Sequence, residues 1–140
     1  MTHTTFIRPR YAETDQMGVV YHGNYLTYFE VGRTDFFRTL GYPYTVLEEQ
    51  GVLFPVIRAE LDYIQPARYD DEIQVRTALG FLKGARLELK YEVVRMDEAC
   101  ETLLARGKTI HAFVNREMKP VNLRRAVPEM WTLLETRLEG

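Results

Sequence analysis

The fold of this chain is decided by residues 25–40, which read YLTYFEVGRTDFFRTL. Apolar and aromatic side chains in this stretch cover more than one stripe of a helical wheel, and a helix that is apolar on most sides is normally buried. Asn24 is a candidate N-cap for this helix, and Gly41 suits the left-handed conformation that often follows a helix. The pattern therefore predicts one buried helix from residue 25 to about residue 40.

Beyond this helix the hydrophobic period changes from that of a helix to that of a strand. A short helical stretch is predicted at residues 46–50, and a strand is predicted before the long helix at residues 5–12. Four later runs alternate apolar with polar side chains, at residues 56–64, 72–79, 85–93 and, less strictly, 103–115. Such alternation is typical of antiparallel strands with one face on a core, and the short links between the runs favour pairing of neighbours.

These elements follow one another in the order β-α-β-β-β-β, with a helix at the end of the chain. One buried helix and one sheet have to cover each other, so the sheet must curl around the helix. We therefore predict an α+β fold in a single domain over residues 1–140. Its core spans about residues 5–122, and a C-terminal helix follows at about 128–138.

Composition and charge are those of an ordinary water-soluble domain. Of the 140 residues, 46% are hydrophobic and 27% charged, which is close to average usage. Eighteen Lys and Arg against twenty Asp and Glu give a net charge of −2, which offers no strong attraction to nucleic acid or anionic lipid. No apolar run has the length of a membrane span, and the first residues lack the pattern of a signal peptide. We expect a cytoplasmic protein.

The reactive residue types exclude several enzyme classes. The chain contains no serine, so it has no serine nucleophile. The single cysteine, Cys100, and three scattered histidines lack the spacing of metal ligands. No glycine-rich loop that could hold phosphate groups is present. We therefore expect neither a metal ion nor a cofactor.

A dense segment before the helix, residues 11–25, reads YAETDQMGVVYHGNY. It resembles the signature of the hotdog-fold acyl-CoA thioesterases, in particular the YbgC-like branch of the 4-hydroxybenzoyl-CoA thioesterase family. The match is carried by the Thr-Asp pair at 14–15 and by GVVYH at 18–22, and IQPARYDD at 64–71 resembles a later link of the family. Fifteen residues at fixed spacing are far more specific than a short motif.

This resemblance implies a curved antiparallel sheet wrapped around a central helix. It also implies homodimers or tetramers with active sites between the subunits. The implied reaction is hydrolysis of a small or medium acyl-CoA to a carboxylic acid and free coenzyme A. Esters of acyl-carrier protein are the alternative substrates, and the sequence leaves aliphatic and aromatic acyl groups open.

Thioester hydrolysis needs a group that activates water or attacks the carbonyl carbon, and donors for the charge that develops on the carbonyl oxygen. The start of a buried helix can supply such donors, because its first N–H groups are free and its dipole favours an anion. Asp15 matches the family's catalytic aspartate and could act as nucleophile or as general base. His22 matches the position whose backbone N–H points at the thioester oxygen.

Further residues are candidates for binding the substrate. Three of them lie in the motif, namely Gly18, Val19 and Tyr21. Val56 and Arg58 resemble the strand that lines the acyl pocket from the partner subunit. Lys83 and Arg86, or Lys108, could meet the phosphates of coenzyme A, since they bring positive charge.

Two other functions compete with hydrolysis. A hotdog dehydratase or hydratase acting on acyl thioesters would need a histidine and a helix carboxylate, and His22 with Glu30 could take those roles. The Asp15 motif argues against this chemistry. A non-enzymatic module that binds acyl-CoA would keep the same fold, but it would release no thiol.

Overall fold

The computed structural model describes residues 2–138, in which five strands form one antiparallel sheet. The strands are β1 (Thr2–Ile7), β2 (Val56–Tyr63), β3 (Ile73–Lys83), β4 (Arg86–Met96) and β5 (Glu101–Ala112). Their order in the sheet is β1-β3-β4-β5-β2. Consecutive strands β3, β4 and β5 therefore form the middle of the sheet, and β1 and β2 are its edges.

The long helix α1 (Asn24–Thr39) lies across the inner face of the sheet. The ring of Phe29 stacks on the ring of Tyr91 in β4, with 4.2 Å between the centroids and 4° between the planes. Gly32 permits a close approach to β3, because a Cβ at this position would lie 2.8 Å from the side chain of Val75. The sheet therefore curves around α1 with few gaps, as the burial of its inner face also shows.

Edge strand β1 is tied to α1 by polar contacts. The Asp35 carboxylate of α1 lies 2.7 Å from Nε2 of His3 and accepts a hydrogen bond of 2.9 Å from the Thr5 hydroxyl. The hydrogen bond with His3 lowers the pKa of the Asp35 carboxyl. The first strand of the chain is thus held to the helix as well as to β3.

Three shorter helices complete the described chain: α2 (Tyr44–Glu49), α3 (Leu123–Ala126) and α4 (Pro128–Glu135). Pro128 opens α4, where its missing N–H costs no helical hydrogen bond. Met130 and Leu134 of α4 are fully buried and close one end of the core. None of the helices in residues 2–138 is long and apolar enough to cross a membrane.

The predicted architecture is confirmed, since one curved antiparallel sheet covers one long helix. Two details of the prediction were wrong. Gly23, not Asn24, is the N-cap of α1, because the Asn24 side chain instead donates a hydrogen bond of 2.8 Å to the Glu13 carbonyl. The first strand ends at Ile7 rather than at residue 12, since Pro9 cannot donate to a ladder and a 3-10 turn follows at Tyr11–Glu13.

Candidate active site

The segment before α1 folds into a tight loop. Thr14 and Val20 form an antiparallel bridge, and the Asp15 N–H donates a hydrogen bond of 2.9 Å to the Val19 carbonyl. The Gly18 N–H donates to the Asp15 carbonyl at 3.0 Å and closes a four-residue turn. Gly18 has a φ of +78°, and no atom lies within 4 Å of a Cβ built there. This glycine is therefore required by the turn itself.

Asp15 is half-buried at the base of this loop. Its Oδ1 accepts a hydrogen bond of 2.9 Å from the Met17 N–H, which fixes the orientation of the carboxylate. Within residues 2–138, Oδ2 of Asp15 accepts no hydrogen bond. One carboxylate oxygen is thus held in place by the chain, and the other is available to water or to a substrate.

A cleft of about 290 Å³ opens beside this carboxylate. Its lining includes Asp15, Val19, His22, Tyr25, Tyr63 and Ile64. The cleft therefore combines one carboxylate and one histidine with apolar and aromatic walls. Of the residues predicted from the motif, it contains Asp15, Val19 and His22.

His22 stands directly before the N-cap of α1. The N–H groups of Asn24 and Tyr25 donate to the carbonyls of Tyr21 and His22, at 2.9 and 3.4 Å. In the part of the chain that the structure describes, no acceptor receives the backbone N–H of His22. A free donor therefore lies at the positive end of the α1 dipole, where a developing oxyanion is favoured.

Aromatic rings surround the His22 imidazole. The ring of Tyr21 lies 4.3 Å from the imidazole, and the ring of Tyr63 stands at 87° to it with 6.3 Å between the centroids. The Tyr63 hydroxyl donates a hydrogen bond of 2.9 Å to the His22 carbonyl. Tyr21 packs against the histidine rather than lining the cleft, whereas Tyr63 supports the histidine from β2. No motif or period in the sequence indicates this role for Tyr63.

Glu13 connects the loop to α1 by hydrogen bonds. No pattern in the sequence indicated this role. Its carboxylate accepts hydrogen bonds from the Tyr28 hydroxyl at 2.7 Å and from Nε of Arg10 at 2.9 Å. Burial raises the pKa of the Glu13 carboxyl, but the hydrogen bonds from Tyr28 and Arg10 outweigh it, so the net pKa is lowered. The Glu13 carbonyl also accepts the N–H of Tyr21 and the side chain of Asn24.

Two predicted binding residues on β2 lie away from the cleft within the same chain. Tyr63 borders the cleft, whereas Val56 begins the strand seven residues earlier, a separation of roughly 23 Å at the usual rise per residue. The exposed guanidinium of Arg58 pairs with the Glu60 carboxylate at 2.6 Å. One chain alone therefore brings neither Val56 nor Arg58 to Asp15.

The predicted phosphate-binding cations are also distant from the cleft. Lys83 and Arg86 flank the turn between β3 and β4, and Arg86 lies opposite Ala112 of β5. Tyr63, beside the cleft, lies opposite Ala105 of the same strand, so the turn is at the far end of the sheet. Lys108 forms ion pairs of 3.3 and 3.5 Å with Glu60 and Glu88, where β2, β4 and β5 run side by side.

A dehydratase or hydratase would need His22 and Glu30 together, and the cleft contains only His22. Glu30 is 62% exposed, with the Arg33 guanidinium 3.9 Å from its carboxylate, and it does not line the cleft. Among residues 2–138, no three His, Cys, Asp or Glu side chains are grouped closely enough to hold a metal ion.

Known proteins resemble this chain over almost its whole length. Residues 9–130 match the Thioesterase-like superfamily. The chain is 37% identical to the putative acyl-CoA thioesterase YneP of Bacillus subtilis over 130 residues, which are 92% of each chain. It is 40% identical over 90 residues to the acyl-CoA thioesterase YbgC of Haemophilus influenzae, covering 64% of this chain and 66% of that one. The structure of a DHNA-CoA thioesterase from Staphylococcus aureus superposes with a TM-score of 0.90 at 34% identity, covering 96% of this chain and 89% of that one.

Proposed function

The chain belongs to the thioesterase-like superfamily and is an acyl-CoA thioesterase with the hotdog fold, and we propose that Asp15 and the backbone N–H of His22 carry out its reaction. One observation carries the proposal. A carboxylate with an available oxygen and an N–H without an acceptor at the start of α1 belong to residues that line one cleft. Thioester hydrolysis needs these two kinds of group.

In this mechanism the thioester carbonyl lies between Asp15 and the start of α1. The His22 N–H donates to the carbonyl oxygen as its negative charge develops, and the helix dipole stabilises that charge. Asp15 either attacks the carbonyl carbon and forms an anhydride that water then hydrolyses, or it takes a proton from the attacking water. Both routes break the carbon–sulfur bond and yield a carboxylic acid and the thiol of coenzyme A.

The proposed substrate is a small or medium acyl-CoA. The cleft of one chain holds about 290 Å³, at the lower end of the usual range for ligand pockets. The similar structure from Staphylococcus aureus is a DHNA-CoA thioesterase, so aromatic acyl groups stand beside aliphatic ones as candidates. A cytoplasmic location suits such a free, water-soluble substrate and is part of the same proposal.

The proposed assembly is a homodimer joined along the free edges of two β2 strands. In the described chain β2 pairs with β5 alone, and Val56, Ile57 and Tyr63 are each about half exposed. An unpaired edge with apolar side chains is a ready template for another strand. Two-fold antiparallel pairing would bring the partner's Val56 to the Tyr63 end of the first copy. A tetramer of two such dimers would keep the same site.

This dimer would also account for the distant cations. The β3–β4 turn lies at the Val56 end of the sheet, so Lys83 and Arg86 of one copy would approach the cleft of the other. Their exposed charges could then attract the phosphates of coenzyme A. The contribution of Arg58, which follows Val56 on the same strand, would come from the partner in the same way.

The experiment measures thiol release, with a colour reagent, from acetyl-, hexanoyl- and benzoyl-CoA. Wild type should release thiol, and Asp15→Asn should lower kcat by about 100-fold or more while its melting temperature stays unchanged. Glu30→Gln is the matched control, because it neutralises a carboxylate of α1 that lies outside the cleft, and it should retain activity. Light scattering should give a mass of at least two chains of 16.4 kDa.

Other outcomes would redirect the assignment. Normal activity in Asp15→Asn together with loss in Glu30→Gln would make Glu30 the base. Folded wild-type protein that releases no thiol from any ester of coenzyme A would favour carrier-protein esters, and then a binding module.

A further inference from the structure

A second cavity, of about 280 Å³, lies at the opposite end of β2 from the Asp15 cleft. Apolar side chains of residues 52–56 and Met118 form most of its wall, while Arg33 of α1 and Tyr44 and Glu48 of α2 contribute polar groups, with Glu48 exposed at the surface. Of these side chains, the proposed site at Asp15 uses Val56 alone, which the partner subunit would supply. We call this space the Arg33 cavity.

Arg33 carries a buried charge, since its side chain is only 12% exposed. Among the described residues, the one carboxylate within 4 Å of its guanidinium is that of Glu30, at 3.9 Å, and Glu30 itself faces solvent. A buried cation without a close anion is costly, because the water that would solvate it is excluded. An oxygen acceptor in the Arg33 cavity would relieve this cost.

Two tyrosine hydroxyls interact with the guanidinium of Arg33. The charge of Arg33 interacts with the hydroxyls of Tyr44 and Tyr91. Burial raises the pKa of the Tyr91 hydroxyl, so this group stays neutral next to Arg33. Neither tyrosine neutralises the positive charge of Arg33.

A buried polar chain extends behind Tyr91 to the wall of the cavity. The Tyr91 and Thr109 hydroxyls are 2.6 Å apart, and the Thr109 hydroxyl is 2.8 Å from Nε2 of His111. Nδ1 of His111 lies 2.9 Å from the Phe54 carbonyl oxygen. Burial lowers the pKa of His111 to about 4, so its imidazole is neutral at pH 7. Arg33 is therefore the charged member of this network.

The two cavities lie at opposite ends of β2, the strand with a free edge. Within one chain they are separated by the length of the strand, and the Arg33 cavity cannot reach a thioester bound at Asp15. Antiparallel pairing of two β2 strands would set the Arg33 cavity of one copy against the Asp15 cleft of the other. The acyl group of a thioester held at Asp15 would then extend toward Arg33 of the partner subunit.

We propose that Arg33 selects acyl groups that carry an oxygen acceptor, a carboxylate or a phenolic hydroxyl, at the end remote from the thioester. This inference rests on the proposed function and its dimer. A guanidinium can bind a carboxylate through two parallel N–H groups, and the apolar wall at 52–56 suits the carbon chain or ring in between. A fully apolar acyl group would bring no acceptor to the guanidinium and would exclude the water that could solvate it, so the site disfavours such a group.

The test compares esters of coenzyme A that match in length and differ at the far end. Carboxylate-terminated esters of four to eight carbons, such as glutaryl-CoA, are paired with plain esters such as pentanoyl-CoA. A second pair, 4-hydroxybenzoyl-CoA and benzoyl-CoA, tests a phenolic hydroxyl. Wild type should favour the polar member of at least one pair by about tenfold or more in kcat/KM. The favoured pair shows whether a carboxylate or a hydroxyl is recognised.

Variants then separate selection from support of the fold. Arg33→Gln should bring the ratio within that pair close to 1 by losing activity on the polar ester alone. Tyr44→Phe, a milder change, should lower the ratio about threefold through the loss of one hydroxyl. Tyr42→Phe is the matched control, because Tyr42 is half-buried outside both cavities, and it should leave the ratio unchanged.

Several results would overturn the inference. A wild-type enzyme that prefers the apolar member of every pair contradicts it, as does an equal loss on both members in folded Arg33→Gln. If Arg33→Gln does not fold, an unchanged ratio in Tyr44→Phe contradicts it instead. Failure of the proposed function gives a different result, since wild type would then release no thiol from any ester.

Discussion

The two ends of strand β2 hold different kinds of chemistry. At the Tyr63 end, Asp15 and the His22 N–H are held mainly by hydrogen bonds of the main chain, and the cleft beside them is open to water. At the Val56 end, the Arg33 guanidinium lies in a cavity with mainly apolar walls and interacts with the hydroxyls of Tyr44 and Tyr91. A carboxylate that reacts with water must meet water, whereas a group that selects by hydrogen bonding discriminates best where water is excluded. In the proposed mechanism, reaction and selection are thus separated along one strand.

A change in β5 opposite the middle of β2 should disturb both ends of β2 and give the largest loss of stability. Gly107 of β5 lies opposite Leu61, and a Cβ there would overlap the Glu60 carbonyl oxygen and lie 2.7 Å from the Phe29 ring. We expect Gly107→Ala to lower the free energy of unfolding by about 3 kcal/mol. Urea unfolding followed by circular dichroism measures it.

The control for this substitution is Gly84→Ala. The nearest neighbour of a Cβ at Gly84 is the side-chain amide of Asn122, at 3.1 Å, and a side chain can move aside. Its loss of stability should therefore be clearly smaller. Equal losses in the two variants would contradict the steric explanation.

The free energy of unfolding should depend on pH through His111, which lies at the Val56 end of β2. The pKa of His111 is about 4 in the folded chain, against an ordinary value of 6.5. Below pH 6.5 the unfolded chain binds a proton that the folded chain does not, so the free energy of unfolding falls as the pH drops toward 4. The expected loss is about 2 kcal/mol between pH 7 and pH 5, at about 1.4 kcal/mol per unit. Urea unfolding at the two pH values measures it, and His111→Gln should lack this loss.

The smallest effect is expected at the Tyr63 end of β2, where the substitution removes a single hydrogen bond. Tyr63→Phe deletes the donor to the His22 carbonyl, so the position of the His22 N–H becomes less fixed. We expect kcat/KM to fall about fivefold for every ester, which corresponds to about 1 kcal/mol. Tyr69→Phe, on an exposed ring, is the control and should leave the rate unchanged. A loss confined to polar esters would assign Tyr63 to selection instead.

The difference between the Asp15 loop and the Arg33 cavity also explains which parts of the molecule could be predicted from sequence. The helix at 24–39 and the alternating strands follow from local hydrophobic periods, so their existence was predictable. The loop around Asp15 is a continuous run of residues, and its resemblance to a known signature could be read directly. Its fine structure was less accessible, because Glu13 and Tyr63 act through partners that only the fold brings near.

The Arg33 cavity could not be predicted in this way. Its network joins Arg33, Tyr44, Tyr91 and His111, which come from two helices and two strands. Each of these residues, taken alone, is typical of an ordinary helix or sheet position. No local period or motif indicates that α1 and β4 meet at this point, and in the proposed dimer the complete site is built from two chains.

The placement of the two cavities at opposite ends of one edge strand has a genetic consequence. In the proposed dimer each site takes its carboxylate from one chain and its guanidinium from the other. A mixed dimer of one Asp15→Asn chain and one Arg33→Gln chain would then hold one site with both defects and one with neither. Two alleles that each act poorly on the polar ester would complement each other, and a cell carrying both would recover part of the activity on that ester.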